Sequence, residues 1–173
     1  YGDNSTKKGK ALEILMLEIF KEIKGVRVSN DVRSETNQFD CTCISSIKPY
    51  CPSVLTYMAP YFIIECKNEP EKKPNNTYCN KLIGIMDTNE AQLGIICGRI
   101  DAAKTCFKIA REHYLLHNNS RKQSIILTFS DTDLEFIIDK KVNLLNYLEH
   151  KILQVTADTP TAKFDMFKSK ENC

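Results

Sequence analysis

The chain has 173 residues, 42% hydrophobic and 27% charged. That is one domain's length with material for a sizeable core, and it excludes a disordered chain. Lysine and arginine number 24 against 22 aspartates and glutamates, a net charge of +2, so any nucleic-acid surface must be local.

No apolar run is long enough to cross a bilayer, and the polar residues 1–8 carry no signal-peptide pattern. The chain starts at Tyr1 without an initiator methionine, which leads us to expect a piece excised from a larger protein. Eight cysteines are many. A secreted disulfide framework would put them in the loops of a core-poor domain, and a zinc site would want paired CxxC spacings, which do not occur. Cys41, Cys43, Cys66 and Cys97 instead fall in apolar strand-like runs and Cys106 on the apolar face of a helix. Buried thiols that stay reduced are the expectation. The sequons at Asn4, Asn75 and Asn118 are what chance gives in an Asn-rich chain.

In chain order, Leu12, Leu15, Met16, Ile19, Phe20 and Ile23 follow helical spacing and predict a helix over 10–24. Strands are expected over 26–32 and 38–44. Residues 45–60 hold Pro49, Pro52 and Pro60 and read as an irregular insertion. Tyr61-Phe62-Ile63-Ile64-Glu65-Cys66-Lys67 is an apolar strand whose two faces, Phe62/Ile64/Cys66 and Tyr61/Ile63, are both hydrophobic, so it belongs in the middle of a covered sheet. A loop with Lys72 and Lys73 follows, then a helix over 77–89, a strand over 93–97, and a helix capped by Asp101 with Ala103, Cys106, Phe107, Ala110 and Tyr114 on its apolar side. The last elements are a strand over 125–129, a turn at 130–133 rich in capping residues, and one helical stretch over 134–155. The tail from Thr156 is polar and poorly patterned. His113, His117 and His150 read as surface residues. Strands that alternate with helices after the third strand predict an α/β fold with a mixed sheet in a single domain, 1–173, whose core spans about 9–155.

The charged end of the third strand carries the chemistry. With period two, Glu65 and Lys67 share a face and Cys66 points the other way. Ionised groups inside a buried strand need a partner or a metal, although a surface ion pair is the plain alternative. Asp40, 25 residues earlier, lies on the neighbouring strand, close enough for both carboxylates to meet one hard cation. The carbonyl of Cys66 would add an oxygen. Lys67 would orient a water or neutralise a phosphate, and Glu13 on the first helix would complete the cluster. Lys72 and Lys73 are candidate phosphate contacts.

Gly9-Lys10-Ala11-Leu12-Glu13, Phe39-Asp40, Glu65-Cys66-Lys67, Lys81-Leu82-Ile83-Gly84, the run from Ala91 to Cys97 and Ile125-Ile126-Leu127-Thr128-Phe129 with Leu134 together resemble the PD-(D/E)xK nuclease superfamily, and within it the Mrr-like restriction endonuclease group. The resemblance covers about residues 9–134. Phe39 stands at the Pro of the family name, Glu65 stands where many close relatives have Gln, and the 45–60 insertion has no counterpart. The resemblance implies a restriction-endonuclease-like αβββαβ core. It also implies a Mg²⁺- or Mn²⁺-dependent DNA endonuclease, with Asp40, Glu65 and Glu13 as metal ligands and Lys67 as the catalytic lysine. It further implies DNA as substrate, a homodimer or higher oligomer, a recognition or sensor domain outside this chain, a cytoplasmic setting and a role in prokaryotic restriction or phage defence. A Holliday-junction resolvase and a non-catalytic DNA-binding module of the same fold are the alternatives.

Overall fold

The computed structural model describes residues 5–23, 26–33, 38–45, 54–117 and 123–164. Their order is α1 (Ser5–Lys21), β1 (Val26–Arg33), β2 (Gln38–Ser45), α2 (Val54–Met58), β3 (Tyr61–Lys67), α3 (Asn76–Asn89), β4 (Leu93–Gly98), α4 (Lys104–His117), β5 (Ile125–Phe129), α5 (Asp131–Asp139) and α6 (Leu144–Thr156). The five strands form one sheet in sequence order. β1–β2 and β2–β3 pair antiparallel, and β3–β4 and β4–β5 pair parallel, so the chain folds as an α/β protein with β3 at the centre of its sheet.

Alternation along the strands builds two cores. Phe62, Ile64, Leu93, Ile95, Ile125, Leu127 and Phe129 meet α1, α2 and α6 on one face. Ile63, Ile96 and Ile126 meet Cys79, Leu82, Ile85 and Met86 of α3 and Cys106 and Ala110 of α4 on the other. The two faces of β3 are those expected from its sequence, and Cys66 packs half-buried beside the first core.

Several expectations give way. The irregular 45–60 segment contains a one-turn helix, α2, whose Val54, Tyr57 and Met58 are buried, followed by a cis Ala59–Pro60 bond; residues 46–53 lie outside the described ones. The expected 134–155 helix is two helices, separated where Lys141 adopts a left-handed backbone at φ 52°. Ser130 caps the first with a reciprocal Ser130–Asp133 capping box, and Asn143 caps the second. Asp101 does not cap α4, which begins at Lys104; its carboxylate accepts the Ser130 hydroxyl at 2.5 Å. The tail after Thr156 folds back, and Phe164 stacks 5.6 Å from Tyr147 and 5.7 Å from Phe136. His113 and His150 are buried, not exposed. Cys79 and Cys106 are joined as a disulfide linking α3 to α4, against the expectation of free thiols; Cys97 is free and buried as expected. Cys41 and Cys43 lie on β2, whose side chains are outside the described ones, as do Asn4 and Asn118 of the sequons. Among the described residues no helix is long and apolar enough to cross a membrane.

Candidate active site

Glu65 lies near the carboxyl end of the central strand, beside Ile96 of β4, on the face that α3 covers. Its side chain is only 2% exposed. A carboxylate that far from water needs neutralising. Two ammonium groups supply this: Lys67 Nζ at 2.6 Å and Lys81 Nζ at 2.7 Å, both on Oε1. Lys67 comes from the same strand two residues on, as period two requires, and Lys81 reaches in from α3.

The cluster extends along α3. The ring of Tyr78 lies under Lys67, with Nζ 5.2 Å from its centroid. Its hydroxyl donates to Glu69 Oε1 at 2.8 Å. That bond to an anionic acceptor, aided by burial, raises the phenol's pKa, while Lys67 pulls it down. Asn75 holds the start of α3 by accepting from Thr77 N at 2.9 Å, so the helix carrying Tyr78 and Lys81 has a fixed entry.

The antiparallel register of β2 on β3 pairs Cys41 with Ile64. Asp40 is the next residue along β2, level with Glu65, while its side chain is outside the described ones. Glu13 lies on α1, which packs with Leu12 and Met16 against the opposite face of the sheet, and it forms an ion pair with Lys10 at 3.0 Å. The thiol of Cys66 turns to that opposite face as well. Lys72 is exposed, 4.0 Å from Glu69, and Lys73 lies at the rim of a cavity of about 1010 Å³ bounded by α4, α5, α6 and the 160–164 segment. The structure therefore joins Glu65 and Lys67 directly and sets Asp40 beside them in register. Glu13, Lys72 and Lys73 take other positions around the sheet.

Lys81 and Tyr78 are the residues that sequence reasoning passed over. Their spacing of three places them on one side of α3, and that side faces the charged end of β3. The donor set at Glu65 suits a hard divalent cation, since it offers carboxylate oxygen and the level position of a second acid, with no thiol or imidazole in it. No protein-family model, curated protein or solved structure matches this chain.

Proposed function

We propose that this chain is a metal-dependent DNA endonuclease domain with a restriction-endonuclease-like core. The observation that carries the reading is the buried Glu65 carboxylate held by Lys67 on one face at the end of the central strand, with Asp40 level with it on the antiparallel neighbour. Apart from the one-turn α2 between β2 and β3, the order α1, β1, β2, β3, α3, β4 is compatible with the αβββαβ core that the motifs imply. Mg²⁺ or Mn²⁺, when bound, supplies an activated water and charge neutralisation at the scissile phosphate. Glu65 and Asp40 would hold that cation. Lys67 and Lys81 compensate the negative charge of the phosphodiester, and Lys67 orients the attacking water. Tyr78 fixes the lysine from below through its ring. Two copies acting together would cut both strands of a duplex, with recognition supplied from outside the chain and a cytoplasmic restriction or phage-defence role.

Plasmid incubated with the protein and Mg²⁺ or Mn²⁺ is expected to be nicked or linearised, and EDTA to stop it. Lys67→Ala should reduce the rate by about 10²–10³-fold; a variant that cuts as fast as the parent refutes the reading. Four-way junctions offered beside linear duplex distinguish a resolvase from a general endonuclease.

A further inference from the structure

Away from Glu65, the carboxyl-terminal halves of α3 and α4 bring Asp87, His113 and His117 together. One ligand atom from each lies within 4.8 Å of the others. His113 and His117 stand four apart on one side of α4, their rings 4.2 Å apart. Each imidazole has a nitrogen engaged by a neighbouring oxygen. His117 Nδ1 lies 2.9 Å from the carbonyl oxygen of His113. A carbonyl only accepts, so Nδ1 carries the proton and the lone pair is on Nε2. His113 Nε2 lies 2.9 Å from Ser124 Oγ, a hydroxyl that can accept, so with the proton on Nε2 that ring's lone pair is on Nδ1. A ring N–H given to a nearby oxygen is how proteins orient metal-ligating histidines.

We infer that Asp87, His113 and His117 form a binding site for a divalent transition-metal ion, best matched by Zn²⁺, that clamps α3 to α4. Two imidazole nitrogens and one carboxylate oxygen are a zinc donor set, with water completing a tetrahedron. Ligand atoms around such an ion lie about 3.3 Å apart, given bonds of about 2.0–2.1 Å. The present separations, up to 4.8 Å, must therefore shrink by up to about 1.5 Å, and the exposed Asp87 side chain, together with ring rotations, provides that movement. Mg²⁺ is a poor competitor, because it prefers oxygen and octahedral geometry. The clamp works with the Cys79–Cys106 disulfide, which ties the amino-terminal halves of the same two helices. Between the two fastenings lies the stretch of α3 that carries Lys81. The inference stands independently of the nuclease reading.

Calorimetric titration of the metal-stripped, full-length chain with ZnCl₂ tests it. One Zn²⁺ per chain is expected, together with a rise in thermal midpoint. His117→Ala and Asp87→Asn avoid the buried His113 and should each weaken binding roughly tenfold or more, since loss of an outer-shell partner alone costs 10–100-fold. Circular dichroism should show both variants folded. Co²⁺ in place of Zn²⁺ should give visible d–d bands without a thiolate-to-metal charge-transfer band. Absence of Zn²⁺ binding overturns the site, as does unchanged affinity in both variants. A thiolate band lost on alkylating the cysteines also overturns it, because the metal would then be held by sulfur.

Discussion

Lys81 Nζ on α3 lies 2.7 Å from Glu65 Oε1 on β3, the same oxygen that Lys67 Nζ approaches at 2.6 Å. The two lysines are not equivalent. The Lys67 side chain is 21% exposed and sits over the Tyr78 ring, whereas that of Lys81 is 51% exposed and hangs from a helix. On the proposed function, this places Lys67 at the chemistry and leaves Lys81 to supply charge. On the proposed activity, Lys67→Ala should cost about 10²–10³-fold in nicking rate, the usual loss for one preorganised charge-stabilising group. Lys81→Ala should cost less and mainly weaken DNA binding, with a stronger effect at low salt, because losing one phosphate contact makes binding less salt-dependent. Nicking rates measured across DNA concentrations at two salt concentrations separate these effects. Equal losses in maximal rate would mean that both lysines touch the reacting phosphate.

Gly94 is where α3 meets the sheet. A Cβ there would lie 2.8 Å from Leu82 Cδ2 and closer still to Met86 Sδ. Both neighbours are fully buried, so they have little room to retreat. Gly94→Ala should destabilise the protein by about 1–3 kcal/mol through overpacking. Because α3 carries Lys81 and Tyr78, displacement of the helix should also disturb the charged cluster. Urea unfolding measures the stability loss. A change within error of zero would mean that Met86 simply swings aside.

Much of this was legible in the sequence because β3 is governed by period two. Its bounds, its two apolar faces and the common face of Glu65 and Lys67 follow from alternation alone. Lys81 was not legible as part of the site, because a lysine on the polar side of a helix looks solvated until the helix is docked on the sheet. His113 was misread for a similar reason. Its position on α4 is polar by pattern, yet the ring is buried, with Nε2 2.9 Å from Oγ of Ser124, just before β5. Val142 sits at an apolar spacing that bridges α5 and α6, which hid the left-handed turn at Lys141. Phe164 is one of two phenylalanines in a polar tail, and nothing local signals that it packs on Tyr147.

The Cys79–Cys106 bridge closes a 27-residue separation between α3 and α4. A cross-link of that span restricts the unfolded chain by about 3–4 kcal/mol in the loop-entropy account. For a protein of this size, reduction should lower the thermal midpoint by about 6–16 °C, at about 2–4 °C per kcal/mol. A non-reducing peptide map should contain the linked Cys79 and Cys106 peptides, and melting curves with and without a phosphine reductant should differ by that amount. Recovery of both cysteines as alkylated thiols from untreated protein would return them to the buried-thiol expectation.

Tyr147 gives the fold a base-sensitive contact. Its hydroxyl donates to Asp133 Oδ1 at 2.5 Å, and Lys151 Nζ meets the same oxygen at 2.6 Å. Burial first, then the bond to Asp133, raises the phenol's pKa well above its ordinary value. The native state thus keeps a proton that the unfolded chain loses near pH 10. The native state binds more protons there, so this contribution is fully present below about pH 10 and is lost as pH rises further. At pH 8, Tyr147→Phe should be less stable by about 1.5–3 kcal/mol, the worth of a hydrogen bond to a charged acceptor. The gap between parent and variant should then narrow as pH rises from 9 to 11, because only the parent has a phenol at this site to ionise on unfolding. Urea titrations of both proteins across that range read the gap directly. A gap that stays constant would show that the native phenol titrates like the unfolded one, and that the Asp133 bond does not hold its proton.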